Sequence, residues 1–331
     1  MIIYSMVTNL QVSIYGTVYN NSAYIKNSID SIIGQFNDFK ENFEIVIVDN
    51  YATDGTYEIL KEYQKKYPNI TVIQKKCTRG KGRAIAFNNT KGKYVFTVDF
   101  DTVYSVSLSK IIYYAIKNYE ENSFFSQSGF CSRATMEKIG NWMDSNEGEG
   151  IELIARAISK GIKVYFVPAL YSKNAIVLKR ETRYAKGFLK YAIRGFNYYK
   201  DRIISEGITS RKYLIANTVK GKILINLAFV YLKLSNKKVC NYSNYQNSHF
   251  MLDNVIFVDP KEIGINPSDF GFDLYFTNVP IKILNSIAEK LYGLNIKKIR
   301  FLTKNVVLFY SDSTSNENLD YFAEFYQNLH G

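Results

Sequence analysis

The first hundred residues alternate, at short intervals, between apolar runs of strand length and stretches with helical spacing, and few folds accept that rhythm. Val12 to Val18 (VSIYGTV) reads as a strand, and Ser22 to Ile33 as a helix with Ile25, Ile29, Ile32 and Ile33 on one face. Phe43 to Val48 (FEIVIV) is a second strand, apolar on both sides and so buried on both. Asp54 to Tyr67 reads as a helix with Leu60, Tyr63 and Tyr67 on one side, and Pro68 stops it. Ile70 to Ile73 is a third strand, Gly82 to Asn89 a short helix, and Tyr94 to Val98 a fourth strand. Strands joined in this way by crossover helices run parallel, which places the chain in the α/β class. Ligands of such sheets gather outside the carboxyl ends of the strands.

Those ends carry polar residues of a consistent kind. The fourth strand breaks off in Asp99-Phe100-Asp101. Two hard oxygen ligands one residue apart suit Mg²⁺ or Mn²⁺ that also touches substrate phosphates, although the same residues also suit an Asx-type turn. The first strand leads into Thr17-Val18-Tyr19-Asn20-Asn21, and the second ends at Asp49. A carboxylate there can accept from a nucleobase N–H, and Tyr19 can stack on or bond to the same ring. Thr78-Arg79-Gly80-Lys81-Gly82-Arg83 offers two glycines for close backbone approach and three cations to offset phosphate charge. Its spacing is not that of a P-loop. Asp54 to Thr56 is equally suited to starting a helix.

Composition removes several alternatives. A chain of 331 residues with 47% hydrophobic and 22% charged residues can bury a large core, and one α/β domain with an appendage is the expected organisation. Cys77, Cys131 and Cys240 are too few and too far apart for a disulfide framework, which fits a reducing, cytoplasmic compartment. With only His249 and His330, His-based zinc sites and His-dependent triads are not expected. The amino terminus shows no basic region ahead of its apolar residues, so no signal peptide is read.

Taken in order, these segments resemble glycosyltransferase family 2, whose members are inverting and have the GT-A fold, a Rossmann-like, mostly parallel sheet with helices on both faces. VSIYGTVYNNSAYIKNSIDSI is similar to the family's opening strand and helix, FEIVIVDNYATDGTYEIL to its second unit, and TRGKGRAIAFNNTKGKYVFTVDFDT to its basic loop, helix and D-x-D strand. GFCSRATMEKIGNWMD resembles the segment shaping the sugar pocket, and GEGIELIARAISKGIKVYFVP the acceptor-side helix and following strand. The resemblance implies a nucleoside-diphosphate sugar donor, with Asp49, Thr17 and Tyr19 at the nucleobase and Arg79 or Arg83 near the diphosphate. It implies Asp99 at the ribose or metal, and Asp101 on a Mn²⁺ or Mg²⁺ ion bridging the phosphates.

One departure bears on mechanism. Where the family usually shows a Glu-Asp pair whose Asp is the general base, this chain has Glu149-Gly150. A neutral hydroxyl nucleophile must lose its proton as the bond forms. Glu149 is the candidate base and Glu152 the fallback, both of them also ordinary acidic residues for the start of a helix over 149 to 160. Otherwise the acceptor is already an anion such as a lipid phosphate, or the chain is an inactive relative.

Charge is concentrated between Lys173 and Lys238, where sixteen Lys and Arg face three acids, leaving the rest of the chain near neutral against a total of +12. Such local asymmetry implies an anionic partner, or else a solvated basic surface. Over residues 183–203, Arg183, Lys186, Lys190 and Arg194 form one helical stripe, and Phe188, Ala192, Phe196, Tyr199 and Ile203 the opposite one. That helix suits either an anionic membrane surface or packing of its aromatic face onto the catalytic domain. Ile223 to Leu234 (ILINLAFVYLKL) is too short to span a bilayer. Beyond residue 240, VIFVDP, DLYFTN and VVLFYSD read as strands, and 281–294 and 319–330 as helices of a small α/β appendage. The expected organisation is a catalytic domain over 1–172, a basic helical segment over 173–240 and the appendage over 241–331. The expected activity is hexosyl transfer to a lipid-phosphate or glycan acceptor at the cytoplasmic membrane face. The alternative is an inactive relative binding membrane or nucleic acid through its basic segment, nucleic acid being the less expected.

Overall fold

The computed structural model describes residues 12–118, 121–126, 129–167, 172–174, 188–205, 219–235, 255–258, 262–265, 296–303 and 306–311. In chain order the elements are β1 (Val12–Val18), α1 (Ile25–Ile33), α2 (Phe39–Asn42), β2 (Phe43–Asp49), α3 (Thr56–Lys66), β3 (Ile70–Gln74), α4 (Arg79–Asn88) and β4 (Tyr94–Thr97). There follow β5 (Thr102–Tyr104), α5 (Ser107–Asn118), β6 (Ser123–Phe125), β7 (Phe130–Ser132), α6 (Arg133–Ile139), α7 (Glu149–Ser159) and β8 (Lys163–Phe166). The last are β9 (Ser172–Asn174), α8 (Phe188–Ser205), α9 (Val219–Leu234), β10 (Val255–Phe257), β11 (Ile296–Thr303) and β12 (Val306–Ser311). They fall into two units, one of Met1–Val103, Glu120–Val164 and Asn174–Asn254, the other of Tyr104–Tyr119, Tyr165–Lys173 and Val255–Gly331.

The first unit is a mostly parallel sheet in the order β6-β7-β4-β1-β2-β3 with helices on both faces, as the resemblance implied. β1 pairs parallel with β2 and β4, and β2 with β3, while β7 runs antiparallel to β4 and β6. Ile14, Tyr15, Ile45, Val46, Ile47, Val48 and Phe96 are fully buried, so both faces of the central strands are covered. The pairing aligns Val18 with Asp49 and Tyr15 with Thr97. That register brings the ends of β1, β2 and β4 out at one edge, each followed by its polar turn.

α4 starts at Arg79, three residues earlier than the sequence pattern indicates. Thr78 caps it by accepting from the Lys81 amide at 3.2 Å. The stretch read as a basic loop is therefore the opening turns of a helix, with Arg79 and Arg83 four residues apart on one face. Its glycines serve the protein's own packing. A Cβ on Gly82 would lie 2.6 Å from Thr17 Oγ1 and 2.9 Å from Thr17 Cβ, and one on Gly80 would collide with the Met143 carbonyl.

The aromatic stripe expected to meet lipid is spent inside the protein. Phe196, Tyr199 and Ile203 of α8 pack with Ile225, Ala228, Phe229 and Leu232 of α9, so the partner of the stripe is a neighbouring helix of the basic segment and neither lipid nor the catalytic domain. Arg183 and Lys186 lie outside the described residues. In the second unit, Leu108, Ile111, Ile112 and Ala115 of α5 are buried, and Lys110 Nζ donates to the Gly264 carbonyl at 2.8 Å. β11 and β12 form an antiparallel hairpin. The strands read in VIFVDP and VVLFYSD are present as β10 and β12, β11 was not read, and the expected strand at DLYFTN and helices at 281–294 and 319–330 lie outside the described residues.

Gly82→Ala tests the packing role. Ala favours helix by about 1 kcal/mol over Gly, but overpacking against Thr17 costs about 1–3 kcal/mol. Net destabilisation of about 1 kcal/mol is expected in urea unfolding, and a stabilised variant would show that α4 does not need the close approach.

Candidate functional site

The Asp99-Phe100-Asp101 turn is built around its middle residue. Phe100 is buried, and a methyl on Gly16 of β1 would stand 3.0 Å from its ring and collide with the Val98 carbonyl. The Phe100 carbonyl accepts from Asn21 Nδ2 at 2.5 Å, and the Asn21 amide donates to Thr56 Oγ1 at 2.7 Å. The Thr102 amide closes the turn on the Asp99 carbonyl at 3.1 Å. With its centre pinned and its closure made by backbone, the turn does not need the flanking carboxylates to close it.

Beside it, buried Asp49 accepts from the Ala52 amide at 3.2 Å and from Gln74 Nε2 at 3.1 Å. Burial pushes its carboxyl pKa up, and the hydrogen bonds only partly oppose that. Asn50 Oδ1 accepts from the Cys77 amide at 2.9 Å, and Asn20 Oδ1 from the Thr53 amide at 2.8 Å, so the loops after β1, β2 and β3 are stitched together. Thr17 donates its hydroxyl to the Val48 carbonyl at 3.0 Å, and Tyr19 lies half-buried just past β1. α3 starts at Thr56 with Gly55 at its N-cap, so Asp54 lies just before the helix and not at its first position. Asp54 accepts from the Thr56 amide at 3.1 Å and the Ser22 amide at 2.9 Å, and although burial works against it, these bonds lower its pKa.

Arg83 is the centre of the site. Its guanidinium is buried, donating through one nitrogen to Glu149 Oε1 at 2.8 Å and through the other to Asp99 Oδ1 at 2.6 Å. It stacks on the Trp142 ring at 4.7 Å, and Trp142 Nε1 donates to Tyr15 Oη at 2.9 Å. Burial alone would lower the Arg83 pKa, but the neighbouring Asp99 and Glu149 carboxylates outweigh it and raise it. The two pairs differ in worth. Glu149 is only 4% exposed at its side chain and Asp99 is 56% exposed, so water screens the second pair far more than the first.

Arg79 reinforces the same carboxylate, its Nε lying 3.0 Å from Glu149 Oε1 and its terminal nitrogen 3.2 Å from Glu147 Oε2. It also donates to the Asn146 carbonyl, and its amide donates to Asn146 Oδ1 at 3.0 Å. The Asn146 amide in turn donates to Asp201 Oδ2 of α8 at 3.1 Å. Glu152, the fallback base, has both oxygens committed to Arg156, at 2.9 and 2.7 Å, and Arg156 also donates to the Gly140 carbonyl at 2.8 Å. It secures α7 to the turn before it. A Cβ added at Gly150 would meet nothing within 4 Å.

Among the described residues no three His, Cys, Asp or Glu side chains gather as a ready-made metal cage. Asp99 and Asp101 supply two carboxylates on one turn, a donor set that fits Mg²⁺ or Mn²⁺ completed by water and phosphate oxygens. Sequence reading missed Trp142, Tyr15, Asn146 and Glu147. Trp142 had a signal, as the single tryptophan of the chain inside a segment already singled out. Tyr51, 51% exposed with φ of 53°, was also passed over, and an aromatic held in that uncommon conformation beside Asp49 marks the loop as constrained.

Comparisons with known proteins bear on the same residues. Residues 13–167 match the family model described as "Glycosyl transferase family 2". The chain is 37% identical over 95 residues to a poly(ribitol-phosphate) beta-glucosyltransferase of Bacillus spizizenii, covering 28% of this chain and 15% of that protein. It is 29% identical over 223 residues to an uncharacterized glycosyltransferase of Methanocaldococcus jannaschii, covering 62% and 71%. The structure of S. aureus TarS 1-349 in complex with UDP aligns with a TM-score of 0.45 at 15% identity, covering 92% of this chain and 98% of that one. The chain spans only 15% of the length of the Bacillus spizizenii protein, and 19% and 24% of two further curated relatives, a glycosyltransferase of Streptococcus pneumoniae and a minor teichoic acid biosynthesis protein of Bacillus subtilis.

The raised Asp49 pKa has a definite sign in stability. The folded state holds this proton more tightly than the unfolded chain, so Asp49 makes stability fall as pH rises from about 4 through its raised value. Asp49→Asn, neutral throughout, is expected to flatten that fall and to be more stable than wild type at about pH 7, read from urea midpoints. A variant with the wild-type slope would remove Asp49 as its source.

Proposed function

We infer from residues 13–167, which belong to glycosyl transferase family 2, that this chain moves a hexose from a nucleoside-diphosphate sugar to a lipid-linked or glycan acceptor, with inversion. The observation that supports this best is the meeting, at one sheet edge, of Asp49, the Asp99–Asp101 turn and the Arg79–Arg83 face of α4. Asp49, with Thr17 and Tyr19, would hold the nucleobase, the carboxylate accepting from a ring N–H and the tyrosine stacking on or bonding to the same ring. Asp99 and Asp101 would hold Mn²⁺ or Mg²⁺, which would supply Lewis-acid stabilisation of charge on the diphosphate leaving group. Arg79 and Arg83 add positive charge beside that group. The acceptor oxygen bonds to the sugar C1 from the face opposite the phosphate, and the C1–O electron pair leaves with the diphosphate. The scarce, separated cysteines fit a reducing compartment, and we place the reaction in the cytoplasm.

The state of Glu149 and Glu152 bears on the acceptor. Glu149 is a buried counter-ion of two arginines, and Glu152 is locked by Arg156. Each already neutralises a guanidinium, so neither is placed to gather a proton at the acceptor. An acceptor oxygen that is already anionic, as in a phosphate, has no proton to lose. Glu149 then acts as a positioning residue, holding Arg79 and Arg83 in place.

Asp101→Ala is expected to abolish divalent-cation-dependent release of nucleoside diphosphate, and unchanged turnover would sink the metal assignment. Glu149→Gln should reduce transfer to hydroxyl and phosphate acceptors alike, because both need the arginines. Gly150→Asp, which the open space accommodates, is expected to raise transfer to a hydroxyl by about 10²-fold or more and to leave phosphate acceptors unaffected. Equal effects of Gly150→Asp on both acceptors would refute the absence of a base as the reason for the preference.

A further inference from the structure

We propose that α9 is a docking surface for anionic lipid, through a face other than the aromatic one of residues 183–203. α9 is apolar nearly all round. Ile225, Ala228 and Leu232 are buried against α8, yet Val219, Ile223, Leu227, Val230 and Leu234 are between 48% and 79% exposed. At about 100° per residue these five fall within an arc of about 80°, facing away from the buried side. Exposed Lys222 and Lys233 lie along one border of that arc, about three helical turns apart, where lysines can place stems on an apolar surface and ammonium groups among phosphates.

Charge decides what covers this stripe. The region from Lys173 to Lys238 carries sixteen cations and three acids, and one of the three, Asp201, is paired with Lys200 at 3.3 Å. A second copy of the chain docked through this stripe would bring Lys222 and Lys233 of each copy towards one another. A nucleic acid would satisfy the cations but leave five aliphatic side chains in water. An anionic bilayer satisfies both. α9 has 16 residues, about 24 Å of helix, and among the described residues no helix is long and apolar enough to cross a membrane. It therefore lies in the interface.

The surface is also wired to the site. Asp201 of α8 holds the Asn146 amide, Asn146 holds Arg79, and Arg79 holds Glu149. Lipid bound at α9 thus fixes the position of the sheet edge relative to the bilayer, where a membrane-borne acceptor phosphate would be presented.

Co-sedimentation of the full chain with phosphatidylglycerol–phosphatidylcholine vesicles, against phosphatidylcholine alone, tests this. Binding to the anionic vesicles is expected, weakened about tenfold by Leu227→Glu and also weakened by Lys222→Gln with Lys233→Gln. Leu227 is already half exposed, so its variant should melt as wild type does and hydrolyse donor in lipid-free solution at the wild-type rate. Loss of vesicle binding with hydrolysis intact separates this proposal from that of the catalytic function. Wild-type vesicle binding by Leu227→Glu, or equal binding to neutral vesicles, would overturn it. So would a dimer in light scattering that Leu227→Glu dissolves, or duplex DNA binding in place of vesicle binding.

Discussion

A guanidinium taken almost entirely out of water is the constraint around which the rest of the site is arranged. A charge so buried persists only with counter-charges in contact, and Arg83 has Glu149 and Asp99 at 2.8 and 2.6 Å. The partners come from three parts of the chain: α4, the start of α7 and the turn after β4. Folding the ion pair therefore means assembling the site. Removing one partner from a buried pair of this kind costs about 3–5 kcal/mol, a large share of the about 5–15 kcal/mol that holds a typical domain together. Stability and site geometry are thus set by the same contacts.

That sharing explains why the glycines and asparagines sit where they do. Gly16, Gly80 and Gly82 let β1, α4 and the 143–145 segment come within the distance at which Arg79 and Arg83 reach their carboxylates. Asn20, Asn21 and Asn50 tie the loops at the strand ends by side chain to backbone, replacing regular pairing where the strands stop. The sheet edge is consequently firm without being a continuation of the sheet.

Much of this was legible beforehand. β1 came out with the limits expected, and β2, β3 and β4 within one residue, because buried parallel strands leave unbroken apolar runs. β6 and β7, three residues each, are shorter than any periodicity can register. The start of α4 was hidden by its two glycines, poor helix formers tolerated for close packing. The residues at the strand ends were legible as polar residues in suspicious places. Their pairings were not, since an arginine in sequence looks like a surface residue until the fold surrounds it. The aromatic face of α8 was read correctly as apolar and matched to either of two partners. The structure gives it to α9, and the outer side of α9 is legible only as a helix with more apolar surface than one neighbour can cover.

The stack of Arg83 on Trp142 has a spectroscopic consequence. The chain holds 28 tyrosines but a single tryptophan, and that indole lies between a charged guanidinium and the Tyr15 hydroxyl. Its emission therefore reports one place in the molecule, the place where Asp99 and Glu149 compete for the same cation. Any ligand that draws Asp99 away changes the field across the ring, so occupancy of the sheet edge can be followed by intrinsic fluorescence without a label. In physical terms, the protein carries its own electrometer.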